Sequence, residues 1–317
     1  CVEPGFIEPQ AALLAASIRR WGGRFAQSPI HAFNPRGAGP LPPELRKTLD
    51  KLGVELHEQQ LNTEHVDYPY CNKIYACAWA EGELDAKTLV FLDTDTVFVN
   101  EPLELDLADG VDLALQPVVG ERGECSTGPG HANDNYWIRS HELCEVPEAG
   151  YVETMRGGVR IRAYFNAGLV AVRREAGLFR RWEDFFSRFW NSKHILRKKT
   201  TNLDQHALAM VAASAWDKTI LLDYRYNYAI PQRARFPEPA RSTPICDLIH
   251  LHYHRWFNVP RFLHRITPTL TTDDPRVQWL DEWLPLEPHF EEEPFGPDLT
   301  KRGEREEIRS KWRGGTT

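Results

Sequence analysis

The sequence predicts an α/β protein with a mostly parallel, doubly wound sheet, flanking helices and an extended C-terminal tail. Three observations carry that expectation. Residues 89–92 (Leu-Val-Phe-Leu) form a short continuous apolar run that stops at Asp93-Thr94-Asp95, the mark of a strand buried on both faces. Strand-like and helix-like segments alternate on either side of it. With 317 residues, 42% of them hydrophobic, the chain can bury one large core or at most two.

Taken in order, residues 9–21 read as a helix. Pro9 suits a first turn, Gly22-Gly23 stops it, and Leu13, Leu14, Ile18 and Trp21 share a face. A helix this near residue 1 implies a preceding strand cut short, with residues 1–5 as the loop after it. Residues 30–33 are a strand, a second helix runs from about residue 43 toward Gly53, and residues 54–56 are a third strand. Residues 71–81 are helical and lead into the Asp-x-Asp strand. Residues 113–118 form another strand, and residues 120–150 are irregular, a connection long enough to be a functional loop. A strand lies within residues 159–173. A strongly amphipathic helix follows over residues 175–190, with Leu178, Trp182, Phe185, Phe186 and Phe189 as core. Thr201-Asn202 can cap a helix over residues 203–216. Residues 218–223 and 247–252 are strands. Beyond residue 267 the pattern weakens, and Glu291-Glu292-Glu293-Pro294 reads as solvated tail. The expected division is one domain over residues 1–265, its first strand truncated, and a partly disordered extension over residues 266–317.

A net charge of −7 argues against a nucleic-acid or anionic-membrane binder. No apolar run approaches the roughly 18 residues a membrane span needs. The six cysteines form no C-x-x-C pair, which argues against a structural zinc site. Cys125 and Cys144 can bridge a loop in an exported protein. Buried thiols in a reducing compartment are the main expectation, and with them a cytoplasmic location.

The chemistry begins at Asp93 and Asp95. Side chains alternate along a strand, so both carboxylates can face one side, at the strand end where α/β proteins bind ligands. Hard divalent cations such as Mn²⁺ or Mg²⁺ prefer such oxygen ligands. An Asx-turn explains the same residues without a metal. His250, His252 and His254 alternate at the end of another apolar strand, and neutral imidazole suits Mn²⁺.

Four short blocks then resemble, in order, the GT-A-fold glycosyltransferases, closest to glycosyltransferase family 8 (the glycogenin and bacterial galactosyltransferase type). They are Asn72-Lys73-Ile74-Tyr75-Ala76, Phe91-Leu92-Asp93-Thr94-Asp95-Thr96, Tyr164-Phe165-Asn166-Ala167-Gly168-Leu169, and Asp204-Gln205 followed by residues 250–254. The resemblance covers roughly residues 1–265. It implies a Mn²⁺- or Mg²⁺-dependent enzyme that moves a hexose from a nucleotide-diphosphate sugar, a UDP-sugar foremost, to an acceptor hydroxyl with retention. It implies Asp93, Asp95 and His252 as metal ligands, with His250 second to His252. Lys73, Asn166 and Gly168 would meet the donor, Asp204 and Gln205 the sugar near its anomeric carbon, and Val2 and Glu3 the base. Each has a plainer reading: Asn166 as a turn residue, Lys73 as solvated, Asp204 as a first-turn acid. The family's glycine and Lys-Pro-Trp after the His-Tyr pair are missing here, where His252-Tyr253-His254-Arg255-Trp256-Phe257 stands. Arg255 or Arg261 can serve a diphosphate instead. The acceptor would enter under residues 120–150, where Trp137 and His131 have no assigned role.

Asp93-Thr94-Asp95-Thr96-Val97 also resembles the nucleophile motif of haloacid-dehalogenase-type phosphatases. That motif normally opens its fold, and the later pair Asp273-Asp274 follows no apolar strand. A non-catalytic sugar-nucleotide-binding protein is the third reading.

Overall fold

The computed structural model describes residues 1–37, 39–121, 123–192 and 202–286. Its first half runs α1 (Glu8–Trp21), β1 (Ile30–Phe33), α2 (Pro43–Lys51), β2 (Val54–His57), α3 (Asn72–Glu83), β3 (Thr88–Leu92) and β4 (Thr96–Phe98). Then come β5 (Leu113–Pro117), α4 (Asp134–Cys144), β6 (Tyr151–Glu153), β7 (Arg160–Arg162) and β8 (Phe165–Arg173). The rest is α5 (Leu178–Asn191), α6 (Leu203–Ser214), β9 (Thr219–Leu221), β10 (Tyr228–Ala229), β11 (His250–His252) and α7 (Pro275–Asp281).

The central sheet has the order β3-β8-β5-β9. β8 runs antiparallel to both β3 and β5, while β5 and β9 are parallel. The sheet is therefore more mixed than the sequence suggested. β8 is entered from the β6–β7 hairpin, and no helical crossover obliges it to run parallel. β1 and β2 form a separate parallel pair, and β4 joins β11 and β10.

Helices cover this sheet on both faces. Val170 and Val172 of β8, with Leu113 and Leu115 of β5, pack into the cluster that holds α5 and α6. The alternate residues Leu169, Ala171 and Ala114 face Leu14 and Ile18 of α1. Period-two burial on both faces makes these strands apolar throughout. α5 buries Leu178, Phe179, Trp182, Phe185, Phe186 and Phe189 along one stripe, each worth roughly 1.5–3 kcal/mol. α6 is buried nearly all round, which suits a helix enclosed in the core. Trp182 donates from Nε1 to the carbonyl of Asp204 at 2.8 Å, so the α5 core holds the first turn of α6.

Three expectations are corrected. Residues 120–150 contain α4, whose buried Trp137, Ser140, His141 and Cys144 recur at helical spacing. Residues 266–286 pack on the core through Ile266, Leu270, Val277, Trp279, Leu280 and Leu286; the remainder of the expected tail lies outside the described residues. Thr201 does too, and Asn202 makes no side-chain cap to backbone. Instead the Tyr68 hydroxyl accepts from the Leu203 N–H at 3.0 Å. No disulfide forms among the described residues, and Cys125 and Cys144 are buried thiols. None of the described helices is long and apolar enough to cross a membrane.

Candidate active site

β3 ends at Leu92, and the chain turns through Asp93-Thr94-Asp95 into β4. The turn is tied on three sides. The Asp93 N–H donates to the Gly168 carbonyl at 2.9 Å, Thr96 Oγ1 donates to the Asp93 carbonyl at 2.6 Å, and the Tyr253 N–H donates to the Asp95 carbonyl at 3.0 Å. Both aspartates thus sit beyond the strand, where alternation no longer decides their direction, and they take different partners.

Asp93 faces Lys73, whose Nζ lies 2.7 Å from Asp93 Oδ1 and 3.7 Å from Asp204 Oδ2. Burial works against the charge on Lys73, but Asp93 and Asp204 outweigh it and hold its pKa above the ordinary lysine value. Burial pushes the Asp204 carboxyl up, with Lys73 opposing. Asp204 Oδ1 and Gln205 Oε1 are buried without a hydrogen-bond partner among the described residues. Leaving such acceptors dry is costly, so each calls for a donor.

Asp95 faces the histidines. Its Oδ2 lies 3.3 Å from His252 Nε2 and 3.6 Å from His254 Nδ1. Burial works to raise the Asp95 pKa, yet His252 and His254 hold it well below the usual carboxylate range. Burial works to lower His252, and Asp95 outweighs it, so its pKa rises. One ligand atom from each of Asp95, His252 and His254 falls within 4.8 Å of the others. One carboxylate oxygen and two imidazole nitrogens are a fitting donor set for a divalent first-row ion.

Of the expected set Asp93, Asp95 and His252, the structure brings Asp95 and His252 together, adds His254, and leaves Asp93 on Lys73. His250 points away. It is fully buried against Phe98, its Nδ1 accepts from the Asn227 N–H, and burial lowers its pKa to about 3. His250 and His252 share one face of β11, and the register separates them along the strand: His250 pairs with Phe98, deeper in the sheet, and His252 with Thr96, next to the Asp93–Asp95 turn.

Gly168 owes its identity to a close approach. A Cβ there would lie 2.8 Å from both Asn166 Oδ1 and His252 Cε1. Asn166 is pinned, since its Oδ1 accepts from the Gly168 N–H at 2.8 Å and from Asn227 Nδ2 at 2.9 Å. Asn227 in turn bonds His252 Nδ1 through its Oδ1 at 2.8 Å, which directs Nε2 toward Asp95. Gly168→Ala is expected to destabilise by about 1–3 kcal/mol and to weaken Mn²⁺ binding by displacing His252. Urea unfolding and calorimetric Mn²⁺ titration check both, and a variant indistinguishable from wild type in both would refute the packing argument.

Asn227 was missed from sequence. The available signal was a lone Asn between Tyr226 and Tyr228, and it adopts φ +47°, a conformation Asn tolerates better than most residues. Glu3 is not open to a ligand: it forms a two-pronged ion pair with Arg36 at 2.6 Å and accepts from Asn72 Nδ2. Val2 is fully buried beside β1. The exposed Arg255 lies over the Phe6 ring at 5.4 Å. Trp137 is core, its Nε1 bonded to the Glu124 carbonyl. Asp274 caps α7 by accepting from the Arg276 N–H, so this acid of the later pair on which the phosphatase reading relied is engaged there.

A family model described as the Rhodobacterales glycosyltransferase domain matches residues 1–215. The chain belongs to this family. The chain is therefore an enzyme, a glycosyltransferase, and the phosphatase alternative falls. Among solved structures, the galactosyltransferase LgtC, determined with donor and acceptor sugar analogues, is 13% identical. The match covers 89% of this chain and 94% of LgtC with a TM-score of 0.50, and it shows the GT-A fold. The bifunctional glycosyltransferase WbbM is 14% identical over 88% of this chain at a TM-score of 0.48, and this chain spans only 50% of its length. Mouse xyloside xylosyltransferase 1 is 12% identical over 78% of this chain and 91% of its own, at 0.42. No curated protein matches the chain in sequence.

Proposed function

We propose that this glycosyltransferase is a metal-dependent hexosyltransferase of the family 8 type. It moves a hexose from a nucleotide-diphosphate sugar, UDP-sugar foremost, to an acceptor hydroxyl with retention. The observation that carries this reading is the pairing of the Asp95–His252–His254 donor set with the unsatisfied buried oxygens of Asp204 and Gln205. Asp95, His252 and His254 would hold Mn²⁺ or Mg²⁺, which when bound neutralises charge on a departing nucleoside diphosphate, worth several kcal/mol.

Asp204 Oδ1 and Gln205 Oε1 accept from sugar hydroxyls and orient the anomeric carbon. Asn166 has committed its oxygen, so it offers its amide nitrogen to the sugar. Lys73 holds Asp93 and Asp204 in place through its ammonium group. Arg255 is the exposed cation for the diphosphate, in place of the absent lysine. Val2 and Glu3 border the base pocket, Glu3 held there by Arg36. The acceptor enters beside residues 120–150.

The test is thermal unfolding with UDP, GDP or a phosphate monoester, each with and without Mn²⁺. At about 100 times its Kd a nucleotide stabilises by roughly 2.7 kcal/mol. A shift with UDP and Mn²⁺ together, and not with either alone, is the expected result. A shift with GDP alone of the two would change the donor, and no shift with either would remove the donor assignment.

A further inference from the structure

β1 and β2 present two different faces. Ile30, Ala32, Val54 and Leu56 pack into the cluster that holds α1 and α2. The alternate residues His31, Phe33, Glu55 and His57 take the other face, toward Trp79 of α3. On that face two imidazoles and a carboxylate converge. The cluster stands on the β1–β2 pair, a different sheet from the one that carries His252.

The spacing is that of a ligand set. His31 Nδ1 and His57 Nε2 lie 2.9 Å apart. Glu55 Oε2 is 3.6 Å from His31 Nδ1, and Glu55 Oε1 is 3.5 Å from His57 Nε2. A tetrahedral Zn²⁺ with bonds of roughly 2.0–2.2 Å sets its ligand atoms roughly 3.3–3.5 Å apart. The three separations straddle that value. A hydrogen bond between the rings accounts for the shortest of them. It does not account for Glu55, whose oxygens stand beyond the roughly 2.7–3.2 Å of a hydrogen bond to either ring. The carboxylate rests beside both ring nitrogens without bonding either, where a cation among the three would hold it.

The rings are fixed before any ion arrives. His57 stacks on Phe33 at 4.6 Å, its ring lies 4.9 Å from that of Trp79, and its side chain is only 10% exposed. Burial holds the His57 pKa below the ordinary histidine value, with Glu55 opposing, which favours the neutral ring that binds metal. The Glu55 side chain is 66% exposed and leaves the way open from solvent.

We propose that His31, Glu55 and His57 form a second metal site, separate from the active site, which takes Zn²⁺ reversibly through two imidazole nitrogens and one carboxylate oxygen. Three protein ligands of these types leave the fourth tetrahedral position to water. The ion bridges the strands, since His31 comes from β1 and Glu55 and His57 from β2. A two-stranded sheet is marginal by itself, so bound Zn²⁺ stabilises this end of the fold. Cysteine spacing could not signal such a site, because its ligands are strand residues brought together by register.

The test is calorimetric Zn²⁺ titration and thermal unfolding of untagged protein carrying Asp95→Asn, which weakens the active-site set, and of the same protein with Glu55→Gln or His57→Gln added. Glu55→Gln changes an exposed side chain and leaves the ring packing alone, so it keeps the comparison intact even if His57→Gln folds poorly. The Asp95→Asn protein is expected to bind Zn²⁺ and to gain several degrees in Tm at saturation. Glu55→Gln should weaken that binding by roughly tenfold or more, since even partners outside the ligand set cost that much. His57→Gln should remove the Tm gain. Zn²⁺ affinity unchanged by Glu55→Gln would overturn the proposal and leave the His31–His57 contact a plain hydrogen bond. Loss of all Zn²⁺ binding in Asp95→Asn alone would overturn it too, by placing the ion at the active site.

Discussion

Asp95→Asn is expected to abolish metal-dependent nucleotide binding and to cut sugar transfer by roughly 10²–10⁴-fold, the equivalent of about 3–5 kcal/mol. Asp95 would supply the anionic ligand of the Asp95–His252–His254 set, and an amide oxygen in its place is neutral and a weaker ligand. The substitution preserves shape and leaves the backbone carbonyl that anchors Tyr253. The fold should survive, with an unchanged far-ultraviolet spectrum. Two companions give the result its meaning. His254→Gln should lose part of the Mn²⁺ affinity. His250→Gln should leave Mn²⁺ affinity nearly intact, because that ring packs on Phe98 away from the set. A full Mn²⁺-dependent UDP shift in Asp95→Asn would sink the ligand assignment. Loss of Mn²⁺ affinity in His250→Gln as large as in His254→Gln would show that His250 belongs to the ligand set despite its place beside Phe98.

The parts of this site that sequence made legible are those with local signatures. An apolar run into Asp-x-Asp, an Asn-Ala-Gly turn, an Asp-Gln pair in a first helical turn and alternating histidines each leave a short pattern. What sequence could not show is how these patterns pair in space. Asp93 and Asp95 look equivalent in sequence, yet one meets Lys73 from α3 and the other meets His252 and His254 from the end of β11. His252 and His250 are likewise distinguishable only once β11 is set against β4. Asn227, which orients His252 and holds Asn166, lies in a loop with no periodicity. The β3 run reads as buried on both faces, yet none of its residues is buried and Val90 is exposed. α4 was missed although Trp137, His141 and Cys144 keep helical spacing, because glycines and charges around them signal a loop more strongly.

Lys73→Met is expected to be the most destabilising single change in the site, by about 3–5 kcal/mol, which lowers the Tm by roughly 6–15 °C. The methionine keeps the apolar stem and removes the ammonium. Lys73 is the cation shared by Asp93 and Asp204, and Asp204 is almost fully enclosed, with 3% of its side chain exposed. Without Lys73 an ionised Asp204 loses its charge partner in the core, and its cheapest response is to take up a proton. A sharper outcome is expected of the double variant. Adding Asp204→Asn to Lys73→Met removes the stranded charge in advance, so the double variant should regain about 1–3 kcal/mol over Lys73→Met alone, the range of coupling expected for groups in one ion network. Urea unfolding of the two single variants and the double measures that coupling. A loss below about 1 kcal/mol for Lys73→Met, or a double variant no more stable than Lys73→Met, would mean that Lys73 is solvated and that the site's charge is balanced elsewhere.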